Sequence, residues 1–261
     1  MIVAGVDIGS VTAKAVLIRD GKIAASSVTP TGADCNQAAL AVLSDAGKQV
    51  GIDRSQISYI VATGYGRRAV DFGNETITEI SANARGASYL GSAMGKVHTI
   101  IDVGGQDTKV IGLDDKGNIT NFVMNDKCAA GTGRFMEVIA RALQVDMPEF
   151  SRLGMQSSHA VTINSTCTVF AESEVVSLIA QRVKREDIIA GIHESIAKRI
   201  VEMAKQVNVR DVVFFDGGGA RNAGLRQAIE TELGSRVFVP DYPQIVVALG
   251  AALEAYSRAS R

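Results

Sequence analysis

Tryptophan is absent from this 261-residue sequence, and aromatic residues make up only 5% of it. Aromatic side chains supply the stacking surfaces of single-strand nucleic-acid binding, so this composition disfavours that function. The formal net charge of -1 excludes a general attraction to nucleic acid or to an anionic membrane surface. No apolar run reaches the ~20 residues of a membrane helix. We therefore expect neither nucleic acid nor a membrane among the partners.

Cysteine is also scarce, with three in the chain. The segment Met1–Asp7 has no basic leader, so we expect a reducing cytoplasm and no disulfide framework. Patterns typical of a mononuclear zinc site, such as Cys-x-x-Cys, are missing. The scattered residues His98, His159 and His193 are interpreted as surface or hydrogen-bonded histidines, and Cys35 as a helix-start residue without a function.

The strongest pattern present is an internal duplication. Strand and helix patterns run β-β-β-α-β-α from the start, with one strand over Ala15–Arg19, and the order begins again at Val97. The segments Asp7–Lys14 and Asp102–Lys109 both read Asp, aliphatic, Gly, small, then polar residues with Lys in the eighth place. Such a repeat decides the fold. We predict an α/β fold with two lobes around a nucleotide cleft, residues 1–93 and 94–261, in which the C-terminal helix is a candidate to pack back on the first lobe.

Each repeat places an Asp-x-Gly turn between two strands, which is a phosphate-binding device distinct from the Walker loop. A glycine turn lets backbone N–H groups face an anion. A second glycine-rich strand end, Asp216–Ala220, offers a flat backbone for a base and ribose. The residues predicted to contact the nucleotide are Gly9, Ser10, Val11, Thr12, Lys14, Gly104, Gly105, Gln106, Asp107, Gly131, Thr132, Gly133, Gly217, Gly218 and Gly219.

Catalytic roles are predicted for four side chains of the two turns. Asp7 and Asp102 stand at strand ends, where carboxylates are suited to hold Mg²⁺, usually through water. Either Gln106 or Asp107 is predicted to orient the attacking water, and the sequence leaves the choice between them open.

Two further segments carry one cysteine each, Cys128 and Cys167, directly ahead of helical patterns over Phe135–Leu143 and Phe170–Val183. A thiolate at a helix N-terminus is stabilised by the helix dipole, which lowers its pKa and suits it to metal ligation. A cubane iron–sulfur cluster takes four thiolates, and a two-fold symmetric dimer supplies two from each chain. We predict one [4Fe–4S] cluster shared between two chains.

The two phosphate segments, together with Phe215–Ala220, resemble the actin/sugar-kinase/Hsp70 ATPase superfamily. In this resemblance Ala130–Arg134 and Ala248–Ala252 correspond to its two connections between lobes. With both cysteine segments added, nearly the whole chain resembles the activator component of 2-hydroxyacyl-CoA dehydratases. That family is shared with the ATPase subunits of ATP-dependent benzoyl-CoA reductase. The sequence departs from many of its members at Ala82-Asn83, where they have Cys-His.

The resemblance implies an ATPase that takes an electron from ferredoxin or flavodoxin and passes it to a partner iron–sulfur enzyme, the acyl-CoA dehydratase or reductase. It implies a cluster on the dimer axis held by Cys128 and Cys167, together with bound ATP or ADP and Mg²⁺. It leaves open whether the second subunit is identical or a homologous sister. Closure around ATP is expected to move the helix that follows Gly131–Gly133.

Two other functions stay open at this point. A small-molecule kinase of the sugar-kinase type would use Asn125-Asp126 as a catalytic base, although the chain has no sizeable insertion that could build a substrate pocket. A structural protein of the actin or cell-division type would use the nucleotide without this chemistry. An iron–sulfur chromophore near 400 nm would distinguish the activator from both.

Overall fold

A computed structural model describes residues 1–126, 130–164, 168–210 and 212–261 of the chain. The chain divides into two units. The first consists of Met1–Val97, Leu113–Ile119 and Pro240–Arg261, and the second of His98–Gly112 and Thr120–Val239. Within the described residues, no helix has the length and apolar character needed to cross a membrane.

The first unit is built on a mixed five-stranded sheet with the order β3-β2-β1-β4-β5. The first three strands are antiparallel neighbours, while β4 pairs parallel to β1 and β5 parallel to β4. The strands are β1 (Ile2–Ile8), β2 (Thr12–Arg19), β3 (Lys22–Pro30), β4 (Tyr59–Thr63) and β5 (Glu75–Thr76).

Helices cover both faces of this first sheet. Helix α1 (Cys35–Gln49) packs on the face that carries Ala4 and Val6 of β1. The C-terminal helix of the chain, Val246–Ala259, packs on the face that carries Val3 and also contacts α2 (Glu79–Gly91). Because β1 is buried on both faces, it reads in the sequence as a continuous apolar run.

The second unit repeats this sheet. Its strand order β8-β7-β6-β9-β10 matches that of the first sheet place by place, with an antiparallel β6–β7 pair and a parallel β6–β9 pair. The strands are β6 (Thr99–Val103), β7 (Thr108–Leu113), β8 (Ile119–Asn125), β9 (Val213–Asp216) and β10 (Val237–Phe238). The predicted duplicated α/β fold is confirmed.

The repeats differ in what connects the third strand to the fourth. In the first unit this connection contains α1 as its α-helix, whereas in the described part of the second unit it contains four. The helices of this unit are α3 (Gly133–Ala142), α4 (Met147–Gly154), α5 (Thr168–Ala180), α6 (Arg185–Gln206) and, after β9, α7 (Ala223–Leu233); the C-terminal helix is α8. Residues of all five pack with β6, β7 and β9 in one large core that includes Phe135, Phe150 and Phe215. Both Cys128 and Cys167 fall in this expanded connection.

Some boundaries differ from the sequence predictions. Strand β2 begins at Thr12, ahead of the predicted Ala15, because Ala13 and Lys14 pair with the end of β1 and Thr12 pairs with β3. Helix α5 ends at Ala180, ahead of the predicted Val183, and Arg182 takes a left-handed φ of 62°. The two-residue strand β5 is too short to give a periodic pattern.

Candidate functional site

The second Asp-x-Gly hairpin joins β6 to β7 and has a buried lysine at its base. Asp102 and Lys109 are register partners, and Gly104 N donates to Asp107 O at 2.9 Å to close the turn. The Lys109 ammonium lies 2.8 Å from Asp107 Oδ1 and 3.6 Å from Asp102 Oδ2, and the residue is 2% exposed. A buried cation of this kind needs nearby carboxylates to offset its lost hydration. Charge pairing within the protein therefore holds the turn in shape.

The first hairpin, between β1 and β2, repeats this geometry with fewer charges. Asp7 and Lys14 are register partners, and Lys14 Nζ donates to Asp7 Oδ2 at 3.0 Å. Gly9 N donates to Thr12 O at 3.1 Å. Thr12 thus stands where the other hairpin has its second carboxylate. The lysine of the first hairpin contacts one carboxylate, while its counterpart contacts two.

The tips of the two turns carry the remaining predicted phosphate contacts. Ser10 and Gly105 are half-buried, while Val11 and Gln106 are exposed. The Asp–Lys pairs beneath them are shielded from solvent. Each turn therefore has an accessible tip above a base that is fixed by an Asp–Lys pair.

A second pair of turns, after β4 and β9, lies directly against the aspartates. Gly64 and Gly217 follow these strands with φ of 87° and 78°. A Cβ on Gly64 would overlap Asp7 Oδ1 and lie 2.6 Å from Ile8 O. A Cβ on Gly217 would overlap Asp102 Oδ1 and lie 2.5 Å from Val103 O. Only glycine permits both the left-handed backbone and this close approach.

The turn after β4 was missed as a candidate site by sequence reasoning. Thr63 is the register partner of Asp7, as Asp216 is of Asp102. Gly219 lies against the Val103 side chain, and Gly66 in the same way against Ile8. The signal was present, because Thr-Gly-x-Gly over 63–66 matches Asp-Gly-x-Gly over 216–219, each after a buried strand.

The start of α3 is hydrogen-bonded to the second hairpin. Gly133 N donates to Gly104 O at 2.9 Å, and Arg134 N donates to Gly105 O at 2.8 Å. The Thr108 hydroxyl, which is buried, donates to Gly131 O at 2.7 Å. The structure therefore brings the predicted residues 131–133 into direct contact with this hairpin.

The first hairpin is supported differently. Thr31, just after β3, donates from its backbone N to Val11 O at 3.0 Å and from its hydroxyl to Gly9 O at 2.7 Å. The position that corresponds to Thr108 is Ala13, which has no hydroxyl. The first hairpin is thus tied to its own sheet, and the second to a helix.

The two cysteines of the predicted cluster, Cys128 and Cys167, lie outside the described residues. The residues that flank them are joined by asparagine hydrogen bonds. Asn125 Nδ2 donates to Ala130 O at 3.0 Å. Asn164 donates from N and Nδ2 to Glu174 Oε1 at 3.0 and 3.2 Å.

Behind α3 lies a buried polar group centred on His193 of α6. Asn222 accepts from Leu225 N through Oδ1, so its Nδ2 faces His193 Nε2 at 3.0 Å. Because Nδ2 is a donor, Nε2 accepts, and the neutral imidazole carries its proton on Nδ1. Burial lowers the pKa of His193 from 6.5 to about 4. The expectation of a hydrogen-bonded histidine holds at this position.

The third cysteine lies beside the turn that follows β4. Cys35 is the first residue of α1, with Asp34 as its N-cap. Its Sγ is 2.8 Å from the position that a Cβ on Gly66 would take. This thiol is therefore packed against the Thr63–Arg67 turn.

The chain is similar over nearly its whole length to known ATPases. The sequence model of the BadF/BadG/BcrA/BcrD ATPase family matches residues 4–255. The chain is 44% identical over 255 residues to a 2-hydroxyisocaproyl-CoA dehydratase activator of Clostridioides difficile, covering 98% of this chain and 95% of the relative. It is 42% identical over 259 residues to the (R)-2-hydroxyglutaryl-CoA dehydratase activating ATPase of Acidaminococcus fermentans, covering 98% of each.

Solved structures give the same picture. The activator of the 2-hydroxyisocaproyl-CoA dehydratase from Clostridium difficile, with bound ADPNP, matches with a TM-score of 0.94 at 44% identity, covering 100% of this chain and 96% of that one. A ROK family glucokinase from Streptomyces griseus matches with a TM-score of 0.60 at 13% identity, covering 98% of this chain and 100% of that one. The second likeness shows a shared fold and nothing more.

Proposed function

The chain belongs to the BadF/BadG/BcrA/BcrD ATPase family, and from this premise we propose that it is an ATP-hydrolysing, iron–sulfur electron-transfer activator. It delivers a low-potential electron to an iron–sulfur acyl-CoA dehydratase or reductase. Relatives described as dehydratase activators support this proposal. The observation that carries it is the hydrogen bonding between the second Asp-x-Gly hairpin and the start of α3, which follows the Cys128 segment.

The two hairpins bind the phosphates of ATP. An ADPNP-bound relative supports nucleotide binding. Among the described residues, no group of three or more His, Cys, Asp or Glu side chains is placed to hold a metal ion. Mg²⁺ needs no such cage, because it is bound by one or two carboxylates, water and the nucleotide phosphates. Asp7 and Asp102 fit that role as single carboxylates at strand ends, and bound Mg²⁺ would neutralise phosphate charge.

Gln106 orients the water that attacks the terminal phosphate. Its side chain is exposed at the tip of the second hairpin. Asp107, the other candidate, has Oδ1 at 2.8 Å from the Lys109 ammonium, so that oxygen has a structural role. An amide positions water without taking a proton, which is sufficient for phosphoryl transfer to water.

Nucleotide state reaches the cysteine segments through α3. Thr108 and the Gly104-Gly105 backbone hold residues 131, 133 and 134 by three hydrogen bonds of 2.7 to 2.9 Å. A shift of the hairpin on ATP binding or hydrolysis therefore moves the start of α3 with it. This is a two-state element biased by the nucleotide.

The cluster is shared by two chains. Two thiols from each chain, Cys128 and Cys167, make the four-thiolate donor set of a [4Fe–4S] cluster, which supplies a one-electron carrier when bound. Helix α5 begins directly after Cys167 and exposes Phe170 by 68% and Val176 by 55%, with Ile179 also exposed. Large exposed apolar side chains on this helix favour a second subunit as their cover. That subunit is a second copy or a homologous sister chain.

The electron donor in this proposal is a ferredoxin or flavodoxin, and the compartment is the reducing, anaerobic cytoplasm. The kinase alternative has less support. Asn125, half of its catalytic pair, uses its amide to bind Ala130 O. The glucokinase likeness shows the fold alone.

The test is iron and sulfide content after anaerobic purification. We expect about four irons per two chains. Cys128→Ser and Cys167→Ser should each lose the iron and the absorbance near 400 nm, while Cys35→Ser, the matched control, should keep both. A colourless, iron-free monomer that phosphorylates a sugar would sink the proposal.

A further inference from the structure

Thr63, the last residue of β4, carries a hydroxyl that the site described so far does not use. The residue is 0% exposed, and among the described residues its Oγ1 has no hydrogen-bond partner. A buried hydroxyl without a partner destabilises the fold, and valine would fill the same volume without that cost. Such a hydroxyl is able to donate to a partner that arrives in another state of the protein, provided that an acceptor lies beside it.

The acceptor nearest to Thr63 in the strand register is the carboxylate of Asp7. Thr63 and Asp7 are register partners on parallel neighbouring strands, so their side chains lie on the same face of the sheet. Asp7 Oδ2 accepts from Lys14, whereas Oδ1 lies over Gly64, the residue after Thr63. The carboxylate is thus held by lysine on one side and faces the end of β4 on the other.

The second unit shows what stands at the same position there. Asp216 is the register partner of Asp102 and is also fully buried. A hydroxyl can donate to a neighbouring carboxylate, but a second ionised carboxylate cannot. The first unit therefore has a donor beside its strand-end aspartate, where the second has another acid.

We propose that Thr63 is a positioning residue of the nucleotide site, whose hydroxyl donates a hydrogen bond to the Asp7 carboxylate when Mg–ATP is bound. The inference rests on the proposed role of Asp7 in nucleotide binding. The hydrogen bond fixes the orientation of Asp7 in the bound state, and it is not made in the arrangement where Lys14 alone holds the carboxylate. Thr63 acts through Asp7 and touches neither phosphate nor water itself.

The variant Thr63→Val tests this, with Thr63→Ser as the version that keeps the hydroxyl. In anaerobically purified full-length protein, we expect Thr63→Val to lower kcat for ATP hydrolysis ~10-fold or more, with a smaller change in KM. Its melting temperature without nucleotide should equal or exceed that of the wild type, and the rise on adding Mg–ADPNP should shrink. Thr63→Ser should recover most of both nucleotide readouts.

Thr29 supplies a matched control. It lies on β3 of the same sheet, and its Oγ1 is also buried without a partner among the described residues. Thr29→Val should leave kcat and the Mg–ADPNP shift unchanged. Wild-type kcat and shift in Thr63→Val would overturn the inference. So would a nucleotide-free melting temperature that falls in parallel with kcat, since that is a purely structural effect.

Asp7→Asn separates failure of the inference from failure of the proposed function. If Asp7→Asn hydrolyses ATP like the wild type, the assignment of Asp7 to the nucleotide site is wrong, and the inference with it. If Asp7→Asn loses activity while Thr63→Val does not, only the inference is wrong.

Discussion

The two repeats share one hairpin design and differ in what each hairpin holds. In the first, Thr31 binds Gly9 O and Val11 O, so the turn is fastened to the end of its own third strand. In the second, Thr108 and the turn backbone bind the start of α3. The same chain motif thus serves as a fixed clamp in one unit and as a link to the cysteine-bearing connection in the other.

The two hairpins also differ in the number of ion pairs at their bases. Lys14 contacts one carboxylate, and Lys109 contacts two and is more deeply buried. A more constrained turn transmits a displacement with less loss to local rearrangement, because packed and paired groups are not continuously deformable. Under the proposed function, both units supply a phosphate-binding turn, and among the described residues only the second turn is hydrogen-bonded to the connection that contains Cys128 and Cys167.

The largest expected effect comes from removing the lysines. Lys109→Met leaves Asp102 and Asp107 without their shared cation in a buried site, and should lower the free energy of unfolding by about 3–5 kcal/mol. Lys14→Met leaves one carboxylate, that of Asp7, without its cation, and should lower the free energy of unfolding by less. Urea denaturation of both variants measures the difference, and equal losses would break the asymmetry.

The next largest expected effect is a loss of stability at low pH. It originates in the second unit, which contains all three histidines. The folded pKa of His193 is about 4, below its ordinary 6.5, so the unfolded chain binds a proton more readily between these values. Stability should therefore fall as pH drops from 6.5 to 4, by up to about 3 kcal/mol from this residue.

His193→Gln should flatten that part of the profile of unfolding free energy against pH. The exposed residue His159 gives the control, since His159→Gln should leave the slope unchanged. A wild-type slope in His193→Gln would assign the acid sensitivity to other groups.

The smallest and most specific effect concerns Thr108. Thr108→Val removes the hydrogen bond to Gly131 O and should cost about 1–3 kcal/mol of stability. ATP hydrolysis should persist while fewer electrons reach the partner, so the ATP consumed per electron transferred should rise. The variant Thr31→Val loses the corresponding bond of the first hairpin, and should reduce stability without raising that ratio. A rise of this ratio in both variants would contradict the proposed difference between the two hairpins.

Much of the fold could be read from residues, because burial patterns are local. The duplicated Asp-x-Gly segments predicted both hairpins, and the apolar runs predicted most strands and helices. The extension of β2 back to Thr12 was hidden, because Thr12 and Lys14 are polar and join the strand through pairing with neighbouring strands, Thr12 with β3 and Lys14 with β1 and β3. The likeness of Thr63-Gly64 to Asp216-Gly217 is visible in the sequence, but their positions beside Asp7 and Asp102 appear only when the strands pair.

By itself, the sequence determined the duplication and the α/β class and supplied candidate groups for the chemistry, because repeats, hydrophobic period and residue type are properties of the chain. Only the tertiary structure decided which partner each group has. Whether a lysine faces one carboxylate or two, and whether a hairpin is tied to a strand or to a helix, depends on contacts between residues distant in sequence. Those contacts form when strand pairing and core packing bring separate segments together, and no local pattern encodes them.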